Sequence, residues 1–412
     1  MTRSCLLLAL LAVCAAGADY PQWRGPARDG VSKETGLLPQ WPAGGPKLLW
    51  KIQDGGDGYG AVAVAGGRVY AVSNRAMEDE IVQALSVEDG KLLWTARIGK
   101  VGNPDQAPAY PSARSTPTID GDALYAFGSD GDLACLDTAT GKIRWRKNVR
   151  TEFKGLPGKW AYAESPLVDG DAVIVSPGGP EAGLIAFHKK DGELLWKSAI
   201  PGGEAAAYAS VVPLTAGGRK HYVQFLAKGV VGVDAKTGEF LWRYDDTSKG
   251  PANIPTSLVR GDSIYTTARS IGAAALVRVE GTSARQVYFE RGLPSTIGGA
   301  VLWKGTLYGT TNEGLVAADF ATGKLLWKDE TLGAGSVLYA DNRLYVHCED
   351  GDVALVEASP QAFRQHGRFT PPDQPKHPRG AREKAWAYPV VAGGRLYIRD
   401  LGTLWCYDVR AK

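Results

Sequence analysis

The sequence predicts an all-β chain closed into a ring, an eight-bladed β-propeller of four-stranded blades. Three observations carry this. The stretch Lys47-Leu48-Leu49-Trp50-Lys51 recurs as Lys91-Leu92-Leu93-Trp94 and as Lys324-Leu325-Leu326-Trp327-Lys328. Units ending in such a stretch repeat at a spacing of about 40 to 50 residues, which suits a four-stranded blade. No run keeps apolar residues at helical spacing, while 52 Gly, 17 Tyr and 12 Trp suit short strands and tight turns.

One unit shows the order of its parts. A small-residue strand (Ser115 to Ile119) is followed by a Gly-Asp turn and an aromatic-bearing strand, Ala123 to Phe127. Asp130-Gly131 makes a hairpin into Leu133 to Leu136, and Asp137-Thr138-Ala139-Thr140-Gly141 turns into a fourth strand ending at Trp145. In that turn the Asp carboxylate and Thr hydroxyl can accept backbone N–H groups, and Gly supplies the left-handed residue. Asp234 with Thr237-Gly238 and Asp319 with Thr322-Gly323 repeat it. The Gly pairs Gly66-Gly67, Gly217-Gly218 and Gly393-Gly394 precede second strands and read as hairpin turns.

The second-strand position recurs eight times, at Tyr70, Tyr125, Ile174, Tyr222, Tyr265, Tyr308, Tyr345 and Tyr397. The closing aromatic recurs seven times, at Trp94, Trp145, Trp196, Trp242, Phe289, Trp327 and Phe369. The eighth unit stops at Asp408, so Trp50 supplies its aromatic. Strand 46–52 is therefore expected to pair with the C-terminal blade and close the ring, which leaves few unprotected edges. The closing aromatics are expected to wedge between neighbouring blades, each burial contributing roughly 1.5–3 kcal/mol. Units five and seven lack the Asp/Thr-Gly turn and close with Phe289 and Phe369, so those joints are expected to be less regular.

Ahead of the ring, residues 1–18 read as a secretory signal peptide. Arg3 precedes the apolar run Cys5 to Ala15, and Ala16-Gly17-Ala18 is a small-residue cleavage site. An exported chain, periplasmic or extracellular, is expected; a lipoprotein acylated at Cys14 ranks second because Val13 is bulky for such a site. Residues 19–45, rich in Pro and Gly, read as an extended strap on the domain surface, carrying Trp23, Leu37, Leu38 and Trp41. Residues 46–410 form the single propeller domain. Losing Arg3 lowers the net charge from +3 to +2, which argues against nucleic acid. No other run is long and apolar enough to span a membrane. Cys135, Cys348 and Cys406 remain, in strand-like runs, and read as buried thiols.

The run Ala317-Ala318-Asp319-Phe320-Ala321-Thr322-Gly323-Lys324-Leu325-Leu326-Trp327, echoed at 135–145 and 232–242, resembles the tryptophan-docking repeat of PQQ-binding-like, quinoprotein-type β-propellers. The lead Gln22-Trp23-Arg24-Gly25-Pro26 resembles the start of secreted bacterial members of that group. The resemblance implies one of two functions. One is that of the outer-membrane assembly factor BamB, an eight-bladed scaffold that binds partners and holds no cofactor. The other is a PQQ-dependent alcohol or sugar dehydrogenase. The second implies a calcium-binding carboxylate and amide, an Asp base and, in the alcohol-oxidising branch, adjacent cysteines. This sequence has no vicinal Cys pair and no Cys-x-x-Cys-His.

Other chemistry is as thinly supported. His188, His221, His347, His366 and His377 show no metal-ligand spacing, and there is no nucleophile elbow or phosphate loop. The sequence names no catalytic residue and no metal beyond the weak candidate Glu164. A binding surface is expected on the face of the inter-blade loops, the longest being 99–114, 150–162 and 363–386. They and their flanks carry Tyr110, Arg114, Trp160, Tyr162, Glu164, Arg379, Arg382, Lys384, Trp386 and Tyr388. Aromatic residues beside Arg favour binding hot spots. Glu164 is expected at the channel or its mouth, paired with Arg114, or as a calcium ligand in the enzyme reading. The basic loop 363–385 suits an acidic partner. The expectation is a monomeric, non-catalytic binding or scaffolding propeller that engages a protein or other extracytoplasmic ligand and needs no cofactor. PQQ and calcium belong only to the alternative.

Overall fold

The computed structural model describes residues 19–103, 113–250, 252–375 and 384–411. The signal segment 1–18 with Cys14, Tyr110, and Arg379 with Arg382 lie outside the described residues.

Eight four-stranded antiparallel sheets form the ring. Seven blades are continuous in sequence: 63–100, 118–148, 167–198, 212–244, 258–291, 300–329 and 335–369. The eighth combines three C-terminal strands, within 390–408, with Lys47–Ile52. Lys47 pairs with Asp408, Trp50 with Cys406 and Ile52 with Leu404. The chain's two ends thus share one sheet, as the repeat count predicts. The helix Val149–Glu152 is a single turn, capped by Asn148.

Each joint between blades is built from two pieces of the repeat. In the turn, Asp137 Oδ1 accepts from Thr140 N at 2.9 Å and Thr140 Oγ1 at 2.8 Å, and Gly141 sits at φ 73°. That Gly does more than turn the chain. A Cβ there would lie 2.5 Å from the ring of Trp94, the closing residue of the preceding blade. Trp94 lies on Gly141 and donates from Nε1 to Thr138 O at 3.0 Å. Trp50 lies in the same way on Gly90 and donates to Val87 O; Trp145 lies on Gly192 and donates to Lys189 O. Trp196 lies on Gly238, and Trp327 donates to Ser359 O at 2.8 Å. A bulge in the fourth strand sets this geometry, shifting register just before the Trp. It leaves leucines such as Leu92 and Leu93 exposed on the outer rim.

Three joints depart from the expected residues, each for a visible reason. In the fifth blade Tyr288, not Phe289, occupies the docking register: it pairs with Leu276, the partner of Tyr265. Tyr288 lies on Gly323 and donates to Phe320 O at 3.1 Å, whereas Phe289 turns to the cluster shared with the fourth blade. The fifth blade has no Asp/Thr-Gly turn to receive Trp242. That ring folds over Gly232 of its own sheet and donates to His221 Nδ1 at 3.0 Å. In the seventh blade the docking register falls on Gly367, paired with Leu355, and Phe369 lies two residues further. Trp41 fills the vacated slot, with its Cβ where a side chain on Gly367 would go and its ring 5.9 Å from Tyr345. In the fourth blade the second-strand register falls on Val223, paired with Gly232 opposite Trp242, so the expected Tyr222 lies one residue off; it faces backwards and stacks on Trp196 at 6.2 Å, beside the non-aromatic Ile174.

The leading segment is a surface strap only in its latter part: over residues 33–45 Leu37 N donates to Asp341 Oδ2, Leu38 N to Val409 O and Trp41 N to His366 O, with most of the other residues exposed, whereas residues 20–32 turn inward. Tyr20 bridges to Val64, Pro21 O accepts from Ile119 N, and Arg28 donates to Ser165 O and Pro166 O. Arg24 donates to Ala300 O, Ser32 N to Tyr339 O, and Ser32 Oγ to Val391 O. One short segment therefore touches the inner edges of the first, second, third, sixth, seventh and eighth blades. It crosses the central channel and plugs it.

Candidate binding cup at the mouth of the channel

The chain enters each innermost strand from the inter-blade face. The residue four positions ahead of that strand points its side chain to the channel mouth in six blades: Tyr59, Arg114, Ala163, Tyr208, Ile254 and Trp386. With Trp160, Arg269 and Tyr388 they line a cup of about 290 Å³ whose floor includes Trp23 of the plug.

The walls are made of interlocked aromatic pairs. Tyr59 and Trp386 sit 5.3 Å apart by ring centroid, Trp160 and Tyr208 5.6 Å, and Trp23 and Tyr388 5.8 Å edge-on. Hydrogen bonds fix the rings: Tyr208 Oη accepts from Trp160 N at 3.0 Å, and Tyr388 Oη donates to Ile297 O at 3.1 Å. Burial raises the Tyr388 and Tyr208 hydroxyls above the ordinary phenol range, so they stay protonated as donors at neutral pH.

Two guanidinium groups border the cup. Arg114 Nη1 donates to Trp160 O at 2.9 Å; burial lowers its pKa, partly offset by Tyr59 and Glu80. Arg269 donates to Asn312 Oδ1 and, at 2.8 Å, to Glu349 Oε1. Glu349 also pairs with Lys384 and accepts from Trp386 Nε1 at 3.2 Å, so it pins the segment that carries Trp386 into the cup. Among the described residues, no carboxylate lines the cup. Beneath the floor, the guanidiniums of Arg24 and Arg28 sit 5.4 and 5.5 Å from the Trp23 ring. Their donors go to backbone carbonyls and Gln22.

The residues read from the sequence separate into two groups. Arg114, Trp160, Trp386 and Tyr388 converge on the cup. Tyr162 instead packs on Phe127 of the second blade at 5.2 Å and donates to Pro177 O of the third, between the two blades. Glu164 is also interior and does not pair with Arg114. Its carboxyl takes Ser176 N, Ser176 Oγ and Gln224 Nε2, with Arg28 as its nearby charge. Desolvation pushes it up to about 8. Donors surround Glu164, which is the wrong company for a cation, and the described residues hold no group of three His, Cys, Asp or Glu suited to a metal. Tyr59, Tyr208 and Arg269 escaped the sequence reading. The first two were findable, because they share with Trp386 the place four residues before an innermost strand; Arg269, on a hairpin tip, carries no such signal.

A family model described as outer membrane protein assembly factor BamB matches residues 31–159 and 109–328. BamB of Burkholderia pseudomallei is 23% identical over 305 residues, covering 64% of this chain and 75% of that protein. Among solved structures, BamB from Moraxella catarrhalis superposes with a TM-score of 0.59 at 18% identity, covering 89% of this chain and 98% of that one. A europium-containing methanol dehydrogenase superposes with a TM-score of 0.70 at 12% identity, covering 93% and 90%. At these identities the structural likenesses speak to fold.

Proposed function

This chain belongs to the family described as outer membrane protein assembly factor BamB, and from that premise we propose that it is an exported, non-catalytic propeller that docks a protein partner in the aromatic cup. The observation that carries this reading is the cup itself: rigid Trp and Tyr pairs with Arg at the border, on the loop face of a closed scaffold. Such residues present large contact area at low entropic cost. The signal-like segment 1–18 and the relatives' role in outer-membrane protein assembly support a place outside the cytoplasm. Among the described residues, no helix is long and apolar enough to cross a membrane.

The competing reading is a PQQ-dependent dehydrogenase with calcium. Calcium takes several oxygen ligands, carboxylates foremost. Among the described residues the cup's lining offers none, and Glu349 at its border is held by Arg269, Lys384 and Trp386. The donor set does not fit a calcium-held quinone.

Two measurements test the proposal. Equilibrium binding of PQQ with calcium, followed by dye-linked oxidation of an alcohol and sugar panel, is expected to give neither tight binding nor turnover; both together would overturn the scaffold reading. Affinity capture of partners from the native host's extracytoplasmic fraction is expected to weaken with Trp160→Ala and Trp386→Ala. If neither change alters any capture, the cup is not the docking site.

A further inference from the structure

We infer that His221 makes the joint between the fourth and fifth blades acid-sensitive: a proton taken up at Nδ1 turns the acceptor that holds the Trp242 indole into a second donor. The switch belongs to the ring itself and is independent of what the cup docks. Four closing tryptophans, Trp50, Trp94, Trp145 and Trp327, donate from Nε1 to a backbone carbonyl of the next blade. A carbonyl accepts at every pH in the physiological range. Trp242 donates instead to His221 Nδ1 of its own blade, at 3.0 Å. An imidazole nitrogen accepts only while it carries no proton.

Because Nδ1 accepts, the neutral ring keeps its proton on Nε2, which is buried and has no hydrogen-bond partner among the described residues. A second proton enters at Nδ1, where it faces the indole N–H. His221 is 0% exposed and Trp242 3%, so water does not replace the lost bond while the joint is closed. The neighbourhood also disfavours the charged ring. Burial and the Arg219 guanidinium lower its pKa, and Asp234 acts the other way. Asp234 pairs with His221 across the sheet, but its carboxylate takes Arg219 Nε at 2.5 Å and the N–H groups of Lys236 and Thr237. Arg219 is shared with Glu239. Strand Val212–Ala216, on the other side, has no titratable side chain. Lys220 and Tyr222 turn to Asp169 of the third blade. On the fourth strand Arg243 pairs with Glu204 and Asp245, and Tyr244 Oη donates to Gln286 Oε1 across the joint. The fifth blade's share of the common cluster is apolar, with Val259, Ile264, Val277 and Val279. Its Asp262 faces Arg278, its Glu280 faces Arg285, and Tyr265 donates to Pro294 O. The plug adds its ties elsewhere: the hydrogen bonds given above for residues 20–32 reach the six other blades.

Well above pH 6.5, the ordinary value, His221 is neutral in folded and unfolded chains and its contribution is fully present. As pH falls through that value the unfolded chain takes up the proton first, and stability is lost until the lower folded pKa is reached. Melting temperatures from pH 8 to pH 5 test this on the chain beginning at residue 19 and on His221→Gln and His221→Phe. Both changes remove the titration; Gln keeps an acceptor for Trp242 and Phe does not. For each, the difference of variant minus parent is expected to rise by about 1–2 °C as pH falls through the histidine range, from a lower start for Phe. Hydrogen exchange in the parent needs no variant. From pH 7.5 to pH 5.5, corrected for intrinsic rates, exchange in Phe240–Tyr244 should quicken about fivefold more than in Leu92–Lys100, the equivalent strand of the first blade. His221→Gln should abolish that excess. A variant-minus-parent difference that stays constant from pH 8 to pH 5 would overturn the inference. So would exchange in Phe240–Tyr244 that quickens no more than in Leu92–Lys100, or an excess that survives His221→Gln.

Discussion

Glu164 shows how one buried group reports on its surroundings. Desolvation lifts its carboxyl from the ordinary 4.5 to about 8, and Glu80 is lifted in the same way to about 7. At acid pH both folded and unfolded forms are protonated, and the stability is fully present. Between the unfolded value and about 8 the folded chain holds a proton that the unfolded chain has released, so this contribution is lost as pH rises. Glu164→Gln keeps the neutral hydrogen-bonding shape and removes the titration. Its melting temperature relative to the parent should therefore climb from about pH 5 to about pH 8; a constant offset across that range would mean that Glu164 is ionised in the fold. Gly141 makes a second case. Its φ of 73° and the Trp94 ring 2.5 Å from a would-be Cβ both oppose a side chain. Gly141→Ala should cost about 1–3 kcal/mol in urea unfolding, whereas Gly170→Ala, with similar φ but open space, should cost less.

At the scale of elements, the repeat is a pairing of parts between neighbours. The closing aromatic belongs to one blade and its glycine shelf to the next, so losing a turn disturbs the joint behind it. That is why the fifth blade's short hairpin leaves Trp242 folded over Gly232. It is also why the strap that follows the plug is part of the domain. Trp41 replaces the aromatic that Gly367 lacks, 4% exposed and 5.2 Å from Phe369. Trp41→Ala should destabilise the chain by about 3–5 kcal/mol. Phe289→Ala, which removes a ring only partly buried, should cost visibly less. Equal effects would show that Phe289 docks after all. Apart from Tyr222, one residue off the register that Val223 holds, the second-strand positions and most closing positions were legible because turn and Trp recur at fixed spacing. The two displaced aromatics were not, because an extra or missing residue in a strand moves a side chain to the other face without changing composition.

For the whole molecule, closure decides stability. A propeller blade has an open edge on either side until the ring is complete. Lys47–Ile52 covers the last such edge, with Trp50 bridging to Val87 of the first blade. A chain beginning after residue 52 should melt far below one beginning at residue 19 and unfold less cooperatively; an unchanged melting temperature would refute closure through this strand. The same truncation removes the plug, so the cup loses Trp23 from its floor. Stability and the proposed docking site are joined in this fold, because one N-terminal stretch supplies both the closing strand and the cup's Trp23.

By itself the sequence determined the ring: eight repeats, their shared last blade, and the four residues Arg114, Trp160, Trp386 and Tyr388 that meet at the channel mouth. Repetition makes this possible, since a local pattern copied eight times specifies its own neighbours. Only the tertiary structure decided where the single-copy parts go. It sent residues 20–32 through the channel rather than over the surface, buried Glu164 and Tyr162 between blades, and brought Tyr59, Tyr208 and Arg269 to the cup. Those placements follow from burial. An unrepeated segment rich in Trp, Tyr and Arg gains by entering the central concavity of the ring, where its rings leave water and inner-strand carbonyls accept its guanidinium donors.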